Sequence, residues 1–290
     1  MDRKNFIRNS LLTAGSVTLA GYANRLFASH KEELQPIEIV GFNHIPQTNS
    51  KIMENIVLHK ANTRGHADHG WLNAHHSFSF ANYYSPDRMN FGVLRVLNDD
   101  IIAGGMGFGT HPHKDMEIIT IPLKGDLEHK DSMGNTGVIK HNDVQSMSAG
   151  TGIYHSEYNK NKDKEVNLLQ IWVIPKANNL TPKYDQITFN PDDRKNKLQQ
   201  IVSPSKDDAG TWINQDAWFH LGNLDKGFAA DYTIRKKGNG VYVFVIEGDV
   251  TINGQALNKR DGMGLWDIDK INIKADANAE ILVMEVPMTV

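Results

Sequence analysis

Cysteine is absent from the 290-residue chain. That excludes disulfides, thiolate metal sites, iron–sulfur clusters and cysteine nucleophiles, and leaves histidine and carboxylate as the strong metal-ligating side chains. Long runs of lysine or arginine are missing too. The net charge is −3, and the first 28 residues set Arg3, Lys4, Arg8 and Arg25 against Asp2 alone, so the remainder carries about −6. A mildly acidic body without a basic stripe lacks the field that a phosphate backbone requires, which argues against direct nucleic-acid binding. No apolar run is long enough for a membrane span: the stretch Ser10 to Ala23 is short and rich in Gly, Ala, Ser and Thr. No long amphipathic helical pattern stands out either.

What remains is the composition of a globular domain, 40% apolar and 22% charged, enough to build a full core. The amino terminus reads as a targeting segment over residues 1–28, with the basic start Arg3-Lys4-Asn5-Phe6-Ile7-Arg8 and small residues at Gly21, Ala23 and Ala28 as cleavage points. It resembles a twin-arginine signal in which Lys4 replaces the second arginine, which implies export of the folded protein to the periplasm. The other reading is an amphipathic first helix on a cytoplasmic protein. A polar leader follows over 29–55.

From there, short apolar runs recur between Gly, Asn and Asp clusters: Phe91 to Leu97, Glu117 to Leu123, Leu168 to Ile174, Val241 to Ile246 and Ile281 to Val286. Strand-length spacing with frequent turn signals predicts an all-β barrel or sandwich. The segment Pro175 to Lys197, with its prolines and charges, is the candidate linker. On either side of it, Ile118 to Leu127 and Tyr242 to Val250 read alike, a buried strand ending in a Gly-Asp turn and then a second short strand. An internal repeat explains this, with one β-barrel or jelly-roll domain over 56–180 and another over 181–290 packed together.

Two short segments carry the chemistry. His111-Pro112-His113 and His155-Ser156-Glu157 each set two potential ligands two positions apart, and in a strand such residues share a face. Pairing the strands would gather three imidazoles and one carboxylate around a single divalent transition metal. Gly150 and Gly152 permit a tight approach to the second strand.

Gly105, His111-x-His113, Glu117 and Gly125 are similar to the first cupin motif. Together with Leu127-Glu128-His129-Lys130-Asp131-Ser132 and Ala149-Gly150-x-Gly152 ahead of His155-Ser156-Glu157, they resemble the pirin family. The resemblance covers roughly Leu58 to Lys176, and the second half resembles the C-terminal cupin of bacterial pirin-like quercetinases. It implies a bicupin whose metal, usually iron(II), sits on His111, His113, His155 and Glu157, while Glu117, a ligand in many other cupins, is structural. It also implies flavonol 2,3-dioxygenation, with a quercetin-like substrate and O2, and Glu157 as general base. The pattern departs from the family at Asn142, Ser146 and Thr151, which bears on the pocket wall. A redox-sensing or protein-interacting pirin without catalysis is the alternative, and a metabolite-binding cupin a third.

Other histidines take structural roles in this reading. His66, His69, His75 and His76 belong to the stretch preceding the barrel, His129 and His141 to a strand or turn, and His220 stands alone. The second cupin is therefore expected to lack a metal. Trp71, Phe78, Phe80, Phe91, Met106 and Phe108 are candidates for an aromatic-binding cavity, Phe108 foremost.

Overall fold

The computed structural model describes residues 55–289; the stretch 1–28 expected to be a targeting segment and the expected polar leader, apart from Asn55, lie outside them. The first half contributes twelve strands: β1 (Ile56–His59), β2 (Gly65–Asp68), β3 (Leu72–His76), β4 (Leu94–Ile102), β5 (Gly107–His113), β6 (Glu117–Lys124), β7 (Leu127–Asp131), β8 (Thr136–Ile139), β9 (Asp143–Ser148), β10 (Ile153–Asn159), β11 (Val166–Val173) and β12 (Lys183–Thr188). The second half adds β13 (Gln199–Ser203), β14 (Thr211–Trp212), β15 (Trp218–Leu224), β16 (Ala229–Thr233), β17 (Asn239–Glu247), β18 (Val250–Ile252), β19 (Gln255–Leu257), β20 (Gly262–Leu265), β21 (Lys270–Ala275) and β22 (Ala279–Pro287). Three short 3-10 turns are the only helical pieces among the described residues, and no helix there is long and apolar enough to cross a membrane.

Each half is a sandwich of a seven-stranded and a four-stranded sheet rather than a closed barrel. In the first, β12-β9-β6-β11-β4-β3-β2 faces β5-β10-β7-β8; in the second, β1-β20-β17-β22-β15-β13-β14 faces β16-β21-β18-β19. The repeat is visible in this order. β6 lies between β9 and β11 as β17 lies between β20 and β22, and β7 pairs with β8 and β10 as β18 pairs with β19 and β21. Both β6 and β17 are followed by a glycine of positive φ, Gly125 and Gly248, that turns the chain into the smaller sheet.

The two large sheets pack back to back. Leu97, Ile119, Ile171 and Val173 from the first meet Phe219, Tyr242, Phe244 and Leu282 from the second in one apolar cluster. β17 is buried on both faces, Tyr242 and Phe244 toward that cluster and Val241, Val243 and Val245 toward the interior of the second sandwich. This is why its sequence is a continuous apolar run rather than an alternation.

One edge strand crosses between the sandwiches, and another closes the first late. β1, which precedes the first sandwich in sequence, pairs with β20 of the second, from Ile56 opposite Leu265 to His59 opposite Gly262. β12, inside the segment expected to be a linker, pairs with β9 of the first, from Lys183 opposite Ser148 to Thr188 opposite Asp143. Lys-Tyr-Asp-Gln-Ile-Thr carries no apolar run because this edge strand is only half-buried, so composition alone reads it as connection.

Candidate metal centre

Strand pairing gathers the histidines as the sequence pattern expects. β10 runs antiparallel to β5 with His155 opposite His111 and Ile153 opposite His113, and a bulge between His155 and Glu157 sets Glu157 opposite Phe108. Along β10 the buried residues are Ile153, His155, Glu157 and Asn159, while Tyr154 and Tyr158 face out. The ring centroids of His111 and His155 lie 4.4 Å apart, those of His113 and His155 4.8 Å, and those of His111 and His113 4.9 Å. Donor atoms of these three imidazoles fall within 4.8 Å of one another, and within the same limit His155 also groups with Glu157 and His129. Glu157 thus joins the cluster through His155 and His129 rather than through His111 and His113.

Close backbone approach makes this possible. A Cβ on Gly107 would meet the Glu157 carbonyl oxygen at 2.2 Å, and one on Gly150, held at φ +47°, would meet that of Leu180 at 2.0 Å. Only glycine lets β5 lie against β10 and the preceding turn close.

Burial sets the electrostatics. Desolvation, with the neighbouring His111, lowers His113 to about 4; desolvation, with His111, His113 and His129, lowers His155 to about 2. Both imidazoles are therefore neutral at neutral pH, with lone pairs available for a metal. The Glu157 carboxyl is pushed up by burial, against the pull of His129, Gln170, His111 and Thr120. Gln170 Nε2 donates to both Glu157 oxygens at 3.2 and 3.1 Å, and the Thr120 hydroxyl lies 3.5 Å from one. His111 Nδ1 sits 2.8 Å from the Gly109 carbonyl, which fixes the tautomer and leaves Nε2 as the donor. Both ring nitrogens of His155 are buried with no hydrogen-bond partner among the described residues. Buried imidazole nitrogens rarely go unmet, and a divalent cation held by His111, His113, His155 and Glu157 would meet one; the donor set fits such a metal.

The cluster opens on a cavity of about 450 Å³. Trp71, Phe80 and Phe108 line it, as does Trp172, which sequence reasoning missed; Phe78 and Phe91 lie in the core between the sandwiches, and Met106 is exposed. Asn98, Asp100 and Gln170 form its polar wall. Asn98 and Asp100 were missed because Asn98-Asp99-Asp100 reads as a turn signal, although β4 continues through it to Ile102. His129 was read as an ordinary strand or turn residue. It is a strand residue, yet fully buried, its ring 5.4 Å from that of His155 and its Nε2 3.2 Å from Asp131. The signal was the two-residue spacing Leu127-x-His129-x-Asp131, which puts all three on one buried face.

Glu117 points the other way. It accepts from Ser148 Oγ and Asn214 Nδ2 on the side of β6 that faces the second sandwich. The family departures also lie away from the cavity: Asn142 holds φ +74° and accepts from Arg194, Ser146 donates to the Trp212 carbonyl, and Thr151 is exposed. Among the upstream histidines, His76 bonds Asn98 and His66 stacks on His75. Both metal-capable groups among the described residues lie in the first sandwich.

Two cupin-type sandwiches, with a histidine-rich centre on an aromatic cavity in the first, define a bicupin with a metal-binding site. The family model described as Pirin matches residues 57–173, and that described as Quercetinase C-terminal cupin domain matches 200–286. The quercetin 2,3-dioxygenase of Escherichia coli (strain K12) is 46% identical over 232 residues, 80% of this chain and 99% of that protein. A pirin-like protein of Caulobacter vibrioides is 43% identical over 222 residues, 76% and 95% of the two chains. The solved structure of the bacterial pirin YhhW from Escherichia coli in complex with nickel(II) matches with a TM-score of 0.76 and 45% identity, covering 81% of this chain and all of that one. The chain belongs to the pirin family.

Proposed function

We propose that this pirin is a mononuclear metal-dependent flavonol 2,3-dioxygenase that holds iron(II) on His111, His113, His155 and Glu157 and takes a quercetin-like flavonol and O2. One observation supports the reading above the others: the imidazole–carboxylate cluster lies at the wall of an aromatic cavity of about 450 Å³, a size suited to a three-ring ligand. When bound, the metal supplies Lewis-acid polarisation of a substrate oxygen and one-electron chemistry. The chain's own side chains do the rest. Trp71, Phe80, Phe108 and Trp172 bind the planar rings and exclude water. Glu157, held beside the imidazoles at the cavity wall, takes the proton of the flavonol 3-hydroxyl. Gln170 and Thr120 hold that carboxylate in place.

Elemental analysis of anaerobically purified protein, followed by oxygen uptake with flavonols and catechols, tests this. Iron-dependent uptake with flavonols is expected, and His111→Ala is expected to lose both metal and uptake. Unaltered metal in that variant would refute the ligand set. Metal-dependent binding of a partner protein, without uptake on any flavonol, would instead favour a non-catalytic redox-sensing pirin.

A further inference from the structure

The alternation of β4 divides two adjacent aspartates between two environments. Asp99 faces the second sandwich and is buried too, its Oδ2 3.3 Å from Arg64 Nη1 and 3.4 Å from Arg260 Nε, and its Oδ1 accepting from Asn167 at 2.9 Å. Asp100 faces inward, 4% exposed, on the wall of the aromatic cavity. Its Oδ1 is buried with no hydrogen-bond partner among the described residues. Asp99 takes both nearby arginines, and Asp100 receives neither. Burial first, then the neighbouring Asp99 and Glu157, push its carboxyl up to about 8. An unmet buried carboxyl oxygen is costly, and this one stands on a cavity wall where a ligand can reach it. Asn98 and Gln170 flank it on the same wall, where the Asn98 oxygen is already engaged by His76 Nδ1 at 2.9 Å. This wall belongs to the large sheet, whereas the imidazole cluster stands on the small one.

We propose that Asp100 is a specificity-determining residue: it receives a ring hydroxyl of a polyhydroxylated planar aromatic ligand, a hydroxyl other than the one presented to the metal cluster. The inference rests on reading the cavity as an aromatic-binding site. It does not depend on the protonation state of Asp100, since a carboxylate accepts from a phenolic O–H and a carboxylic acid donates to the phenolic oxygen. The aromatic residues bind the ring system without regard to its substituents; Asp100 makes the site distinguish a polyphenol from a bare ring system, because leaving that oxygen unmet in the complex is penalised.

The test is calorimetric titration of the full-length protein, as purified and under argon so that binding is read without turnover. The probes are quercetin and 3-hydroxyflavone, which lacks the other ring hydroxyls. Wild type is expected to prefer quercetin. Asp100→Leu is expected to lose about ten-fold or more of the quercetin affinity and to bind 3-hydroxyflavone within about two-fold of wild type, with Asp100→Asn, which keeps an acceptor, falling between. Metal content is expected to stay unchanged, and the melting temperature to hold or rise. Parallel losses for both probes, an unchanged quercetin affinity in Asp100→Leu, or a wild type that does not distinguish the probes would overturn the proposal. If Asp100→Leu does not fold, the same comparison is made with Asp100→Asn. An intact preference that follows Asp100, in a protein that consumes no oxygen, would support this assignment while removing the dioxygenase reading.

Discussion

Two glutamates on different sheets of the first sandwich, Glu117 on β6 and Glu157 on β10, separate the metal centre from the scaffold, and Glu117→Ala is the sharper probe of the pair. Glu117 is 1% exposed and accepts from Ser148 and Asn214, the latter in the second half of the chain. Truncation leaves the buried Ser148 hydroxyl without its acceptor and takes one of two acceptors from the part-buried Asn214, which still donates to Ser148, at up to about 1–3 kcal/mol each, and opens a void. Against this, the chain no longer buries a carboxyl that desolvation disfavours. The net loss is about 2–4 kcal/mol, or about 5–15 °C in melting temperature for a protein of this size. Thermal melts followed by circular dichroism, with metal analysis and oxygen uptake below the transition, measure it. Glu117→Ala is expected to melt early yet keep its metal and turnover per folded molecule. Loss of metal at unchanged melting temperature would mean that Glu117 reaches the ion, as it does in other cupins, and that the outward orientation found here is wrong.

Glu157→Ala is expected to do the reverse, losing metal and turnover together, because its carboxyl groups with His155; metal analysis at full occupancy of the wild type checks it. Acid provides a further test. His59, bonded to the Tyr242 hydroxyl at 2.9 Å, is lowered by burial and Arg88 to about 4, and His220, beside Arg235, by burial and Arg235 to about 3, from the usual 6.5. Both histidines stay neutral in the folded protein while the unfolded chain takes up protons below 6.5. Their contribution to stability is thus complete above pH 6.5 and is lost as pH falls toward 4 and then 3, at up to about 1.4 kcal/mol per pH unit for each. Urea midpoints between pH 8 and 4 should show this slope, and His59→Gln should flatten it; an identical slope would remove His59 from the account.

The parts legible in the sequence are those where one strand periodicity acts alone. His111, His113, His155 and Glu157 could be placed on two faces from their two-residue spacing, and β6 and β17 from apolar runs closed by Gly125 and Gly248. What escaped was governed by partners distant in sequence. Gln170 and Trp172 sit in an apolar strand whose inward face changes from core to cavity partway along, and no local signal marks that change. Asp100 looked like part of a turn because Asn and Asp are turn formers, and its burial follows from β3 and β11 pairing on either side of β4. The half-buried edge strand β12 has no apolar pattern to read.

The crossing of β1 to the second sandwich sets the order in which this protein can be completed on the ribosome. Ile56–His59 emerges early but has no hydrogen-bonding partner until Gly262–Leu265 has been synthesised, some 200 residues later. Pairing across so long a stretch of chain closes a large loop and comes late. The nascent chain must therefore carry an unpaired strand, open to intermolecular pairing, until nearly all of its sequence has left the exit tunnel. A fragment ending near residue 180 would keep that liability permanently and would also lack the strand that covers the edge of β9.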